Sequence, residues 1–135
     1  MKRKIILLLF MLLCLCGCNK EKKLERAPFN GTLKKENLYG KYKLSNEKVY
    51  DSGNLIYDKN TKEYEIIFEE DNLKYCKDYK CISYKYSLEN NVLKIDNSSN
   101  ESLYSLYNIT YSEKSIILWA NINDYYYNYT YDYEN

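Results

Sequence analysis

The stretch Tyr125-Tyr126-Tyr127-Asn128-Tyr129-Thr130-Tyr131-Asp132-Tyr133 has tyrosine at every odd position and, apart from Tyr126, a polar residue at every even one. Successive side chains of a β-strand point to opposite faces, so this alternation predicts a strand with one tyrosine face. Tyrosine is common in β-strands, and its ring is often buried while its hydroxyl forms a hydrogen bond with water or a polar group. The pattern favours a strand that lines a core or cavity. A surface that stacks on sugar rings or peptide side chains is the alternative.

The same period of two recurs upstream. Apolar residues share one face in five further runs, which cover residues 38–44, 64–68, 82–88, 107–111 and 116–122. Turn-forming residues separate the runs at 51–54, 58–60, 70–72, 89–91, 97–100, 112–114 and 121–124. Connections this short cannot hold crossover helices, and only residues 34–37 suggest a helical turn. We therefore predict an all-β fold, an antiparallel up-and-down meander of eight or nine strands.

A meander of this size leaves two edges, and closure into a barrel protects both. We expect the C-terminal strand to pair with the first strand, residues 38–44, with its odd-numbered tyrosines facing inward. A barrel of eight strands is just wide enough to be filled by side chains or to hold one small ligand. The candidate ligand or core face consists of Tyr42, Tyr64, Phe68, Tyr84, Tyr86, Tyr127, Tyr129 and Tyr131.

Two short motifs connect this pattern with a known family. Gly40-Lys41-Tyr42 resembles the glycine, any residue, tryptophan motif that opens lipocalin-like domains, with tyrosine in place of tryptophan. Asn123-Asp124-Tyr125 is similar to a second lipocalin motif. Residues 38–135 thus resemble a lipocalin-like β-barrel domain. The resemblance implies an up-and-down barrel with a ligand cavity, but it does not indicate which ligand binds there.

The N-terminus carries a different signature. Lys2, Arg3 and Lys4 precede an apolar run, which ends in Leu15-Cys16-Gly17-Cys18. A basic start followed by a short apolar run is typical of a secretory signal and too short for a spanning helix. The end of the run resembles the lipobox of bacterial lipoprotein signal peptides.

That resemblance implies removal of the signal peptide, residues 1–17, and attachment of lipid such as palmitate to Cys18. The protein would then be anchored to the cell membrane on its extracytoplasmic face. Residues 18–37, which begin with a charged stretch, would form a tether to the barrel. A plain signal peptide or an uncut short anchor remains open.

Cys76 and Cys81 flank a four-residue segment in which a hairpin turn is expected. A short loop between two strands brings cysteines into bridging range, and disulfides persist outside the cytoplasm. The spacing is wider than that of a redox motif, and zinc would need further ligands. We predict a disulfide, with free thiols as the alternative.

Composition excludes several function classes. The chain has 18 tyrosines and no histidine, so it lacks the commonest general base and metal ligand. Removal of the signal peptide changes the formal net charge from +1 to −2, which argues against nucleic acid as a partner. No nucleophile elbow, phosphate-binding loop or metal-ligand spacing is present. We expect no enzyme activity, no catalytic residue, no cofactor and no metal.

These observations lead to two functional hypotheses. The first is a membrane-anchored, non-catalytic binding module that holds a small apolar or amphipathic ligand inside the barrel. The second is a structural or protein-interaction surface lipoprotein with a filled core and an exposed tyrosine face. The interior volume of the barrel distinguishes the two.

Overall fold

The computed structural model describes residues 24–97 and 103–135. Within these residues the chain forms one short helix and nine β-strands. They are α1 (Lys35–Leu38), β1 (Gly40–Asp51), β2 (Asn54–Asn60), β3 (Tyr64–Phe68), β4 (Asn72–Lys77), β5 (Lys80–Glu89), β6 (Val92–Ile95), β7 (Leu106–Tyr111), β8 (Ser115–Ile122) and β9 (Tyr125–Glu134). The helical turn thus lies one residue later than the sequence pattern predicts.

Eight strands form a closed antiparallel barrel. Strand β1 pairs with β3, each later strand pairs with the next, and β9 returns to pair with β1. The β1–β9 register runs from Lys41 opposite Glu134 to Asp51 opposite Tyr125. The predicted all-β meander is confirmed, and the C-terminal strand closes it as expected. The architecture is consistent with a lipocalin-like barrel.

The ninth strand, β2, lies outside this closure. The first residues of β1, Gly40–Lys43, pair with β3, whereas its second half, Asn46–Asp51, pairs with β2. All residues of β2 are exposed. The turn predicted at residues 58–60 is wrong, because these residues end β2. Polar residues in an exposed edge strand have the same composition as a turn, so the sequence does not separate the two.

A β-bulge in the middle of β1 changes which side chains face the interior. Leu44 lies opposite Tyr131 and Asn46 lies opposite Thr130, so Ser45 is an extra residue. The Ser45 hydroxyl donates a hydrogen bond to the Thr130 carbonyl at 3.1 Å. Because the bulge shifts the alternation by one residue, Glu47 follows Leu44 on the inner face.

One end of the barrel is capped by the segment that precedes β1. The amide group of Asn37 donates hydrogen bonds to the carbonyls of Ala27 and Pro28, at 3.1 and 3.0 Å. Asn37 and Leu38 are buried. We expected residues 18–37 to be a tether, and their described part from Ala27 onward folds back onto this end. We call it the closed end.

Aromatic rings fill the closed end. The Tyr42 ring lies edge-on to Phe68 at 5.7 Å and to Tyr133 at 5.2 Å between ring centroids. The guanidinium of Arg26 lies 3.7 Å from the centroid of the Tyr133 ring. Gly40 has φ +126°, and a Cβ there would lie 2.7 Å from Tyr133. Only glycine fits this position, which explains the first residue of the Gly40-Lys41-Tyr42 motif.

Candidate ligand-binding site at the open end of the barrel

The other end of the barrel, which we call the open end, contains a cavity of about 240 Å³. This volume corresponds to the space of about eight water molecules. The walls come from the middle of β1, the start of β3, the end of β4, strands β7 to β9 and the residues just before β7. The lining residues are Leu44, Glu47, Tyr64, Tyr75, Leu103, Tyr104, Tyr107, Leu118, Tyr129 and Tyr131.

Strand β9 supplies the inner tyrosine wall. Tyr129 and Tyr131 line the cavity, and the Tyr127 ring contacts Tyr104 at 5.4 Å between centroids. On the opposite face of the strand, Tyr126 packs against Trp119 at 5.7 Å. Tyr125, at the end of the ladder, is 40% exposed. The alternation of β9 therefore separates a wall that faces the cavity from an outer aromatic cluster.

Ring contacts hold the tyrosines of the wall in place. Tyr64 and Tyr75 stack with nearly parallel planes at 5.3 Å between centroids. The Tyr107 ring lies edge-on to Tyr129 at 6.3 Å. The Tyr107 hydroxyl accepts a hydrogen bond from the backbone N–H of Tyr104 at 3.1 Å. These contacts give the cavity apolar ring surfaces and hydroxyl groups in fixed positions, as expected for a preformed site.

Glu47 is the one charged residue among the described residues that line the cavity. It lies opposite Tyr129 on β9 and is half-buried. Its carboxylate makes no hydrogen bond or ion pair within the described part of the chain. Lys59 lies opposite Glu47 on β2, but its ammonium group pairs with Glu63 at 3.7 Å.

Burial keeps four tyrosines of the cavity neutral well above physiological pH, namely Tyr75, Tyr107, Tyr129 and Tyr131. Burial raises the pKa of Tyr75, Tyr129 and Tyr131, and the negative charge of Glu47 adds to the increase at each. Burial also raises the pKa of Tyr107. A buried phenol resists ionisation because the phenolate loses its hydration. The wall therefore offers neutral hydroxyls that both donate and accept hydrogen bonds.

The eight residues of the predicted face fall into two groups. Tyr64, Tyr129 and Tyr131 line the cavity, and Tyr127 lies beside it through Tyr104. The others belong to the buried core, and they are Tyr42, Phe68, Tyr84 and Tyr86. The Tyr84 hydroxyl is buried without a hydrogen-bond partner in the described residues, within electrostatic range of Tyr75 and Tyr107.

Sequence reasoning missed four residues of the cavity, namely Glu47, Tyr75, Leu103 and Tyr104. The bulge at Ser45 turns Glu47 inward, and no sequence pattern predicts that bulge. Tyr75 lies in β4, a strand that lacks a clear alternation, and Tyr104 precedes β7. The density of tyrosine near both positions was the available signal, but it does not reveal which rings face the interior.

The predicted disulfide between Cys76 and Cys81 is confirmed. The two residues lie directly opposite each other in the β4–β5 hairpin. Asp78 and Tyr79 form its turn with φ of 50° and 63°, as in a two-residue hairpin loop. The bridge lies next to Tyr75 and therefore fixes a hairpin at the rim of the open end.

Within residues 24–97 and 103–135, no group of three or more His, Cys, Asp or Glu side chains is placed to hold a metal ion. In the same residues, no helix has the length and apolar character that a membrane crossing requires. Cys18 and the signal-like segment lie outside the described residues. Searches against known protein families, curated proteins and solved structures found no match for this chain.

Proposed function

We propose that this chain is a lipid-anchored extracytoplasmic lipoprotein whose barrel is a non-catalytic binding module for one small amphipathic ligand. The cavity of about 240 Å³ at the open end is the observation that carries the proposal. Its volume is slightly below the range of typical ligand pockets, about 300–1,000 Å³, so the ligand is small.

The lining of the cavity supports an amphipathic ligand over a purely apolar one. Leu44, Leu103 and Leu118 provide aliphatic surface, while the tyrosines add rings with hydroxyl groups. A ligand that lacked polar atoms would leave buried hydroxyls without partners, which costs about 1–3 kcal/mol for each such group. A ligand with both apolar surface and hydrogen-bonding groups matches both the aliphatic side chains and the tyrosine hydroxyls of the lining.

Native mass spectrometry of the detergent-solubilised lipoprotein tests the binding function. We expect a bound small molecule in the wild type, and we expect Tyr129→Trp to exclude it by filling the cavity. Tyr126→Trp is the matched control, because Tyr126 lies on the outer face of the same strand. If Tyr129→Trp retained the ligand as well as wild type does, the cavity would not be its site.

The lipid anchor is tested separately. Cells supplied with labelled palmitate should incorporate the label into the wild-type protein and not into Cys18→Ala. The proposal is supported by Gly17-Cys18 at the end of the signal-like apolar run. Labelling of the Cys18→Ala variant at the wild-type level would contradict the anchor.

Strand β2 favours a second candidate function, a protein-interaction surface. It pairs only with β1 among the described strands, so its other edge is free for an added strand. Leu55, Ile56 and Tyr57 are 50%, 57% and 42% exposed. Edges of this kind bind extended segments of partner proteins. A photo-crosslinker at Ile56 should then give one defined adduct in intact cells, and one at Lys85 on β5 should give none.

A further inference from the structure

We infer that the ligand carries an organic ammonium group, which the cavity holds between the carboxylate of Glu47 and the surrounding tyrosine rings. This inference rests on the proposed binding function and adds the charge of the ligand.

Glu47 makes the wall of the cavity negatively charged. Among its described lining residues Glu47 alone is charged, and no described side chain pairs with it. Glu47 is half-buried, so its carboxylate is only partly hydrated, and a cation or hydrogen-bond donors beside it would compensate for the hydration that it lacks. An ammonium group of the ligand supplies both, whereas an anionic ligand is repelled.

Two lysines lie at the rim, and both are already paired. Lys59 and Lys77 both pair with Glu63, at 3.7 and 3.8 Å. Lys59 is half exposed and lies opposite Glu47 across the β1–β2 pair. Lys77 also donates a hydrogen bond to the Tyr64 hydroxyl at 3.3 Å. Glu63 thus holds both ammonium groups at the rim, and Glu47 remains available to a ligand cation.

Tyrosine rings form a large part of the cavity wall. The face of a tyrosine ring is electronegative and attracts a cation, more strongly where water is excluded. This chain forms such contacts elsewhere, with Arg26 over Tyr133 at 3.7 Å and Lys35 over Tyr86 at 4.3 Å. Glu47 is within electrostatic range of four cavity tyrosines, so rings and carboxylate can act on the same cation; these tyrosines are Tyr75, Tyr104, Tyr129 and Tyr131.

Two pairs of probes with matched shape test the inference on the detergent-solubilised lipoprotein. Choline is compared with its neutral isostere 3,3-dimethylbutan-1-ol, and butylamine is compared with butan-1-ol. Tyrosine side-chain resonances are followed by NMR during each titration. We expect the cation of at least one pair to bind about tenfold more tightly than its neutral partner, since one desolvated cation–π or ion contact contributes on this scale.

A pair of variants assigns the preference to Glu47. Glu47→Gln keeps the shape of the side chain and should remove the preference for the cation. Glu113→Gln removes the same charge from the exposed β7–β8 turn at the closed end and should leave the preference unchanged. For the wild type, the affinity for the cation should fall as salt is added while that for the neutral probe stays constant, a readout that is independent of how the variants fold.

The outcomes separate this inference from the proposed function. Equal binding of cation and neutral probe in both pairs, or an unchanged preference in Glu47→Gln, would overturn the ammonium inference and leave the binding cavity in place. If no probe bound and native mass spectrometry found no bound molecule, both the inference and the proposed function would fail.

Discussion

The two ends of this barrel are built from the same residue types but differ in how completely those residues are covered. At the closed end Leu38, Tyr42 and Leu73 have no exposed surface, and Phe68 is 1% exposed. At the open end Tyr64, Tyr75 and Tyr129 are only half-buried and surround a cavity. The closed end has a cap, the segment that begins near Arg26 and ends in α1. Inward-facing tyrosines thus complete a filled core at the capped end and line a cavity at the other end, where the described residues form no such cap.

Tyr42 and Tyr129 show the difference for single residues. Tyr42 packs edge-on against two rings, Phe68 and Tyr133. Tyr129 makes an edge contact with Tyr107 at the longer distance of 6.3 Å and borders the cavity. Both tyrosines face the barrel interior from adjacent strands. Neither the face of the strand nor the residue type therefore accounts for the difference in packing.

The largest expected effect is alkaline unfolding. Burial raises the pKa of Tyr42 to about 12, partly opposed by the nearby guanidinium of Arg26. In the unfolded chain a tyrosine ionises near pH 10, at about its usual pKa. Between about pH 10 and pH 12 the folded protein keeps a proton that the unfolded chain has released, so stability falls as the pH rises. Below pH 10 this contribution is fully present.

This decline is steepened by four tyrosines of the open end whose pKa values burial also raises, namely Tyr75, Tyr107, Tyr129 and Tyr131. We expect urea stability to be flat up to about pH 9 and the barrel to unfold before pH 12, since the phenols in the unfolded chain ionise near their usual pKa. Tyrosinate absorbance should then rise together with the loss of circular dichroism. In Tyr42→Phe the decline should be shallower, and an identical slope would show that Tyr42 ionises normally in the folded state.

Truncation of one large side chain at each end tests the comparison directly. Phe68→Ala should cost about 3–5 kcal/mol, because it leaves a cavity in a filled core. Tyr129→Ala should cost about 1–2 kcal/mol, since the side chain is half-buried and already borders a cavity. Urea denaturation of both variants measures the difference. Equal losses of stability would mean that the open end is packed as tightly as the closed end.

Glycine substitutions compare the two ends at the level of the backbone. Gly40 and Gly53 both have positive φ, but a Cβ meets Tyr133 at Gly40 and open space at Gly53. Gly40→Ala should cost about 3 kcal/mol, and Gly53→Ala about 1 kcal/mol from backbone strain alone. Thermal and urea denaturation give both values. A smaller loss at Gly40 than at Gly53 would contradict the close packing of Tyr133.

Removal of the disulfide should have the most local effect. Cys76 and Cys81 enclose a short loop, so the loop-entropy account limits their contribution to about 2 kcal/mol. The double variant Cys76→Ser, Cys81→Ser should remain folded, with faster amide exchange confined to the β4–β5 hairpin. Faster exchange at the closed end would show that the bridge stabilises the whole barrel rather than its rim.

Much of this fold follows from local pattern. The alternation in residues 125–133 and 116–122 predicts two strands that the structure contains as β9 and β8. The turns at residues 51–54 and 89–91 and the disulfide also follow from the sequence. Strand β2 does not, because Asp58, Lys59 and Asn60 suit an exposed edge strand and a turn equally well.

The cavity illustrates what local pattern leaves out. Its tyrosines on β9 follow from period-two alternation, whereas Glu47 depends on one extra residue at Ser45 in β1. The position of a bulge is decided by how two strands match across the whole sheet, because the register is set jointly by the turns and by both faces.

The sequence by itself determined the all-β class, the order and antiparallel pairing of most strands, and the inward face of the last one. These properties are encoded in side-chain period and turn residues, which act over a few positions. Only the tertiary structure decided that Arg26 and α1 cap one end, that β2 stands outside the barrel, and that Glu47 faces a cavity. These depend on contacts between residues far apart in the chain, and packing across the barrel interior selects them.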